Sequence, residues 1–226
     1  NKNNPNQASS DREDIDTSTT PVNISATSRS FRLGFTPFPP VISAEGFKDV
    51  YAFIDTHGDL VAHHLDNGVP WDDALNGRRY SDHYYEDVAR RTSNTPKGHK
   101  IYVAITPLRF ERDAIASTWG KSDNMTTGSP WSEYRLNNDY VKKAYLNYAR
   151  ETIKNFNPDY LAIGIEVNMM ITKNPNSWND YLELNQYVYS ALSNEYPDLP
   201  IFATIQYEFL KGEEDDAKPN AHLQVS

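Results

Sequence analysis

The sequence predicts an α/β fold in which strands and helices alternate around a parallel sheet. Short runs such as residues 161–165 are apolar throughout, as expected for strands that are covered on both faces. Between successive runs lie amphipathic segments whose apolar side chains recur at helical spacing. Because this alternation continues along most of the chain, we expect one α/β domain rather than separate helical and sheet domains.

The first half of the domain supplies three strands with helices between them. Its first strand is ended by prolines, which cannot extend the ladder of a central strand. Ser43 is the expected N-cap of the first helix. The strands are expected over residues 31–40, 59–66 and 100–107, and the helices over 43–57 and near 80–92.

The second half continues the alternation after a long polar loop over residues 109–137. A helix over 139–156 leads through Asn157-Pro158 directly into the fourth strand. Ser177 and Asp180 have the spacing of a capping box at the start of the next helix. A fifth strand is expected over residues 200–207.

The order of elements favours a (β/α)8, TIM-barrel-like fold of which this chain carries only part. Eight βα units close a barrel of roughly 250 residues, and the sequence supplies about five. An open doubly wound sheet is the alternative. We favour residues 31–226 as the amino-terminal portion of a barrel, and expect residues 1–30, which are polar, to be a disordered tail or linker.

Composition excludes several functional classes. The net charge of −9 argues against nucleic-acid binding, which needs clustered Lys and Arg. No apolar run approaches the roughly 20 residues of a membrane-spanning helix. Cysteine is absent, which rules out disulfides and thiolate metal sites in this sequence. The polar leader is typical of a mature secreted or cell-surface protein.

Glu166 is the first candidate for chemistry. It follows the apolar run of the fourth strand, and parallel α/β barrels place their sites at the carboxyl ends of strands. Asn168 comes two residues later and could orient a ligand by its amide. The alternative is that Glu166 is a solvated residue at a strand end.

Residues 160–170 resemble the acid/base strand of the clan A glycoside hydrolases, most closely families 53 and 113. In that clan the acid/base is a Glu at the end of strand four, usually preceded by Asn, whereas Ile165 precedes Glu166 here. The resemblance implies a retaining hydrolase with Glu166 as general acid/base. It also implies that the nucleophile, a Glu on strand seven, lies outside this chain.

Flat aromatic surfaces are expected around such a site, because sugar rings stack on them. Three of the four Trp residues fall in segments that follow strands. These are Trp71, Trp119 and Trp131. We expect them to bind substrate, although a Trp in a loop can equally cover the core.

Other polar residues at strand ends are weaker candidates for substrate binding. His63 and His64 end strand two, and only one of two adjacent strand residues can face a given site. Tyr207 and Glu208 end strand five, although Glu208 could instead begin the acidic run that follows. No His-x-His occurs on the first strand, so we expect no metal and no other cofactor.

These observations predict a secreted retaining glycoside hydrolase that acts on a carbohydrate and needs the remaining carboxy-terminal strands in cis or in trans. One alternative is a catalytically inactive carbohydrate-binding barrel of a surface lipoprotein. Another is a metal-dependent barrel hydrolase that combines His63 or His64 with Glu166 and Glu208.

Overall fold

The computed structural model describes residues 29–212. The chain divides into two units, residues 1–31 and residues 32–226, and all the elements below belong to the second. The predicted disordered tail over residues 1–30 falls almost entirely outside the described residues, as does the acidic run after Gly212. No helix within the described range is long and apolar enough to cross a membrane.

Strands and helices alternate as the sequence predicted, with short additional helices. The strands are β1 (Gly34–Phe35), β2 (Leu60–Leu65), β3 (Lys100–Ile105), β4 (Tyr160–Ala162) and β5 (Ile201–Phe202). The helices are α1 (Ala44–His57), α2 (Trp71–Asn76), α3 (Asp82–Asn94), α4 (Asp139–Phe156), α5 (Met170–Lys173), α6 (Trp178–Glu195) and α7 (Tyr207–Lys211). Three single 3-10 turns lie at Trp131–Glu133, Val167–Met169 and Pro175–Ser177.

The five strands form one parallel sheet in the order β1-β2-β3-β4-β5. Each strand therefore pairs with its neighbour in sequence. A doubly wound sheet reverses its strand order at a switch point, whereas successive units of a β/α barrel follow one another around the sheet. The strand order confirms the α/β class and identifies the described part as consecutive units of a TIM-barrel-like arrangement.

The starts of the main helices follow from side-chain caps, with one exception. Ser43 Oγ accepts a hydrogen bond from the Gly46 amide at 3.0 Å, as predicted for α1. The capping box predicted at Ser177 is wrong. Ser177 has helical backbone angles and makes no capping bond, because a 3-10 turn runs directly into α6. Asp180 instead forms an ion pair with Arg135 at 2.8 Å.

The strands at the two ends of the sheet and β4 are shorter than predicted. Pro37 and its neighbouring prolines end β1, since they lack the amide that a ladder needs. Beyond β4 the chain keeps irregular pairing, with Thr204 N donating to Gly164 O at 2.9 Å. Gly164 passes so close to α6 that a Cβ there would lie 2.4 Å from the Tyr181 hydroxyl. Position 164 therefore accepts no larger side chain without movement of Tyr181, and regular strand pairing has ended before the chain reaches Glu166.

The two faces of the sheet differ. On β2, Val61, His63 and Leu65 are buried against the helices, whereas the residues between them face the opposite side and are partly exposed. That opposite face corresponds to the interior of a barrel. In register across it lie His64, Ala104, Ala162 and Phe202.

Candidate functional site

Glu166 lies just beyond the carboxyl end of β4, as predicted. Its backbone is left-handed, with φ at 53°, and its amide donates to Thr204 Oγ1 at 3.1 Å. The Glu166 side chain is 37% exposed, so a ligand can reach it, and its contact with Arg112 limits its movement. Its Oε2 accepts a hydrogen bond from Arg112 Nη2 at 3.2 Å.

Arg112 is the central cation of the site. It comes from the segment after β3, has φ at 61°, and its side chain is only 2% exposed. Its Nη1 and Nη2 donate to the two carboxylate oxygens of Asp66 at 3.1 and 2.7 Å. Because Nη2 also reaches Glu166, one guanidinium joins the segments that follow β2, β3 and β4.

Asp66 directly follows β2, and its side chain is 15% exposed. Burial opposes ionisation of this carboxyl, but polar contacts with His64 and Arg112, together with the charge of Arg112, outweigh burial and hold its pKa below the ordinary value. The His64 contact is 3.8 Å long, which exceeds a hydrogen bond, so we regard the guanidinium as the principal cause. The cluster formed by His64, Asp66, Arg112 and Glu166 therefore contains an ionised Asp66.

The side chains of the two adjacent histidines point to opposite faces of the sheet, because successive side chains alternate along a strand. His64 lies on the barrel-interior face, partly exposed, with its Nε2 near Asp66. His63 faces the helices, is fully buried, and makes a 2.9 Å hydrogen bond to Thr95 Oγ1. His64 therefore lies beside Asp66, whereas His63 is a core residue.

The Asn168 side chain links two segments of the backbone by hydrogen bonds. It is fully buried, and its amide makes reciprocal hydrogen bonds with the backbone of Gln206 at 3.0 and 2.8 Å. These bonds join the segments after β4 and β5. We therefore assign the amide to positioning the segment that carries Glu166, because none of its surface is open to a sugar.

The three loop tryptophans lie in the core. Trp71, Trp119 and Trp131 are 0%, 1% and 4% exposed. Trp71 and Trp131 stack with their ring centroids 5.4 Å apart, and Trp71 Nε1 donates to Ala116 O. Trp119 packs edge-on against Tyr84. Their faces are covered by protein, so they are not available to stack on a substrate.

Other aromatic side chains take the exposed positions at the carboxyl edge of the sheet. Phe38, Phe110 and Tyr207 follow β1, β3 and β5 and are 63%, 74% and 61% exposed. The Phe38 ring lies 5.9 Å from that of His64, and the Phe110 ring centroid lies 5.8 Å from the Arg112 guanidinium carbon. Two of these three contact the cluster directly.

Glu208 and Tyr207 begin the short helix α7 rather than ending a strand. Glu208 is exposed. Within residues 29–212, no group of three or more His, Cys, Asp or Glu side chains is arranged to hold a metal ion. The metal-dependent alternative would also have to use His64 alone, since His63 lies on the opposite face.

Comparison with known proteins gives structural neighbours and no sequence family. No protein-family model and no curated protein sequence matches the chain. A galactosidase domain of alpha-galactosidase-sucrose kinase, AgaSK, is 15% identical with a TM-score of 0.35, over 68% of this chain. The GH53 catalytic domain of Ignisphaera aggregans is 16% identical with a TM-score of 0.42, over 79% of this chain.

The chain spans 23% of the length of the first neighbour and 49% of the second. Both neighbours are glycoside hydrolase domains, and the second is from family 53. At these identities and TM-scores the similarity assigns no activity to this chain. The chemistry of this chain has to follow from its own side chains.

The burial of His63 predicts a pH-dependent stability. Burial, with a smaller contribution from the charge of Arg91, lowers the pKa of His63 to about 3. Between that value and the ordinary pKa near 6.5, the unfolded chain binds a proton that the folded chain does not, so stability falls as the pH falls through this window. From pH 7 to pH 5 this residue is expected to remove about 2 kcal/mol from the free energy of unfolding.

Urea denaturation of wild type and His63→Gln at pH 5 and pH 7 measures this contribution. The variant is expected to lose less stability than wild type between pH 7 and pH 5. His57→Gln, at an exposed position of α1, is the control and should behave like wild type. An equal loss in wild type and His63→Gln would contradict the assignment.

Proposed function

We propose that this chain belongs to a glycoside hydrolase in which Glu166 is the general acid/base. One observation carries the proposal: Glu166 is a partly exposed carboxylate at the carboxyl end of a parallel strand and is positioned by the buried Arg112. Glycosidases need a fixed carboxyl group that can give a proton to the leaving oxygen and later take one from water.

The exposed aromatic side chains support a carbohydrate as the substrate. Phe38 and Phe110 present uncovered rings beside His64 and Arg112, and Tyr207 presents a third at the same edge of the sheet. The apolar face of a sugar ring packs on such rings, while its hydroxyls reach the polar groups between them. We therefore propose that Phe38, Phe110 and Tyr207 stack on the substrate and that the buried tryptophans do not.

The test is a panel of soluble polysaccharides incubated with the full chain and assayed for new reducing ends. We expect cleavage of at least one, and weaker binding of that polysaccharide by Phe38→Ala and by Phe110→Ala. Removing one stacking ring should cost about 1 kcal/mol, or roughly a fivefold loss of affinity. Phe53→Ala is the matched control, since this Phe is 48% exposed but lies on α1.

A carbohydrate-binding domain without catalysis is the second candidate, and the same exposed rings favour it. Binding of a polysaccharide that the two Phe variants weaken, with no new reducing ends even when the remaining barrel strands are supplied, would establish that candidate instead. Equal binding by all three Phe variants would contradict a carbohydrate site at this edge. We further propose a secreted or cell-surface location, where a polymeric substrate is met, and remaining barrel strands that complete the cleft in cis or in trans.

A further inference from the structure

A small pocket lies between the segment that follows β1 and the helices α1 and α3. Its volume is about 230 Å³, and its apolar wall includes Pro39, Ile42 and Phe47. Phe38 and Ile42, which both border the pocket, are 63% and 89% exposed, so apolar surface continues out of it. Drug-sized ligands usually occupy roughly 300–1,000 Å³. This pocket therefore fits a single ring or a short alkyl chain.

The polar side of the pocket carries more positive than negative charge. Arg90 and Arg91 both line it, and each contacts a different oxygen of Asp87, which does not line it. Two guanidinium groups share this one carboxylate, so the three side chains together carry a net positive charge. Arg91 is 10% exposed, whereas Arg90 is 38% exposed and lies over the Phe47 ring at 4.6 Å. Arg90 is therefore the cation that a ligand can reach.

The Tyr51 side chain supplies a hydrogen-bond donor. Tyr51 lines the pocket and is 5% exposed, and its buried hydroxyl has no hydrogen-bond partner within the part of the chain that the structure describes. Burial raises the pKa of Tyr51, so the hydroxyl keeps its proton at neutral pH. A buried polar group without a partner destabilises the fold, and a ligand that accepts a hydrogen bond removes that cost.

We propose that this pocket binds a small organic acid whose apolar body, an aromatic ring or a short alkyl chain, carries a carboxylate. The carboxylate pairs with Arg90 and accepts a hydrogen bond from the Tyr51 hydroxyl, while the apolar body packs on Ile42 and Phe47. This inference goes beyond the proposed glycosidase function and does not depend on it. The two sites are neighbours, since Phe38 borders both.

Titrations of the isotope-labelled full chain with benzoate and with hexanoate, followed by amide chemical shifts, test the proposal without an enzymatic assay. We expect saturable shifts within residues 41–51 and 87–91, with a dissociation constant on the order of 1 mM for at least one acid. The tighter acid shows whether the pocket prefers a ring or an alkyl chain. Benzyl alcohol and hexanol, which lack the charge, should bind roughly tenfold more weakly than the matching acid. Equal binding of acid and alcohol, or no saturable shifts in these residues, would overturn the proposal.

Arg90→Gln is expected to weaken binding of the tighter acid by roughly tenfold, because the amide carries no charge. Arg79→Gln is the matched control and should bind this acid like wild type. Arg79 also lies over an aromatic ring, that of Tyr85 at 4.7 Å, and also pairs with an aspartate three residues away, Asp82, but it borders a different groove. Wild-type binding by Arg90→Gln, or an equal loss in both variants, would contradict the assigned ion pair.

Tyr51→Phe separates a contact with the ligand from an effect on the fold. We expect binding of the acid to weaken by about fivefold, since one hydrogen bond is lost. The free energy of unfolding in urea, measured without ligand, should not fall, because the substitution removes a buried hydroxyl that has no partner among the described residues. Unchanged binding, or a loss of binding that accompanies a loss of stability, would contradict the assigned hydrogen bond.

Discussion

Glu166→Gln is expected to reduce hydrolysis of a susceptible polysaccharide by roughly 10²–10⁴-fold, while binding of that polysaccharide stays near the wild-type value. The amide keeps the size and the hydrogen-bonding oxygen of the carboxylate, so Arg112 can still hold it. It cannot give a proton to the leaving oxygen or take one from water. Reducing-end assays for turnover and calorimetry for binding measure the two effects separately.

The nature of the leaving group sharpens this prediction. A dinitrophenyl glycoside leaves without protonation, so its first displacement should be slowed much less by Glu166→Gln than that of a polysaccharide. Glu208→Gln is the matched control, because Glu208 is an exposed glutamate at the same edge of the sheet. Wild-type hydrolysis by Glu166→Gln, or an equal loss in both variants, would rule out Glu166 as the acid/base.

Trp71→Ala is expected to lower the free energy of unfolding by about 3–5 kcal/mol. Trp71 is fully buried, stacks on Trp131, and donates a hydrogen bond to Ala116 O. The substitution removes the packing and one of the two side-chain hydrogen bonds to that carbonyl, which also accepts from Thr127 Oγ1. Urea denaturation followed by circular dichroism measures the loss.

Substitution of the exposed ring of Phe110 is expected to have the opposite effects from substitution of the buried Trp71. Phe110→Ala should leave the free energy of unfolding within about 0.5 kcal/mol of wild type, because Phe110 is 74% exposed. Trp71→Ala is therefore expected to lose stability, and Phe110→Ala is expected to lose carbohydrate binding. A Trp71→Ala protein that is as stable as wild type but binds carbohydrate poorly would show that the indole is part of the binding surface.

The order and type of the elements could be predicted because they depend on local pattern. Apolar runs gave the strands, helical spacing gave α1, α3, α4 and α6, and the structure confirms their order. Glu166 was found because a charge directly after an apolar run is visible in a single stretch. Strand lengths were overestimated for β1, β4 and β5, and at β1 the prolines that follow account for the early end of pairing.

The site itself depends on contacts between distant segments, which a linear pattern does not encode. Arg112 is one of several charged residues in a polar loop, and only the folded chain shows that it alone is buried between Asp66 and Glu166. The tryptophans were misjudged for a related reason. A large aromatic residue after a strand can turn inwards or outwards, and here Trp71 turns in while Phe38 and Phe110 turn out.

The left-handed residues of the described chain collect around Asp66. Of the four non-glycine residues there with positive φ, Arg112 and Glu166 belong to the cluster, and Asn124 donates its side-chain amide to the Asp66 carbonyl. An L-residue in this conformation costs roughly 1–2 kcal/mol, which glycine would avoid. The backbone conformation alone would favour glycine at positions 112 and 166. The sequence instead accepts this backbone cost at two positions whose charged side chains contact each other, so a local conformational penalty is concentrated where the segments after β3 and β4 meet.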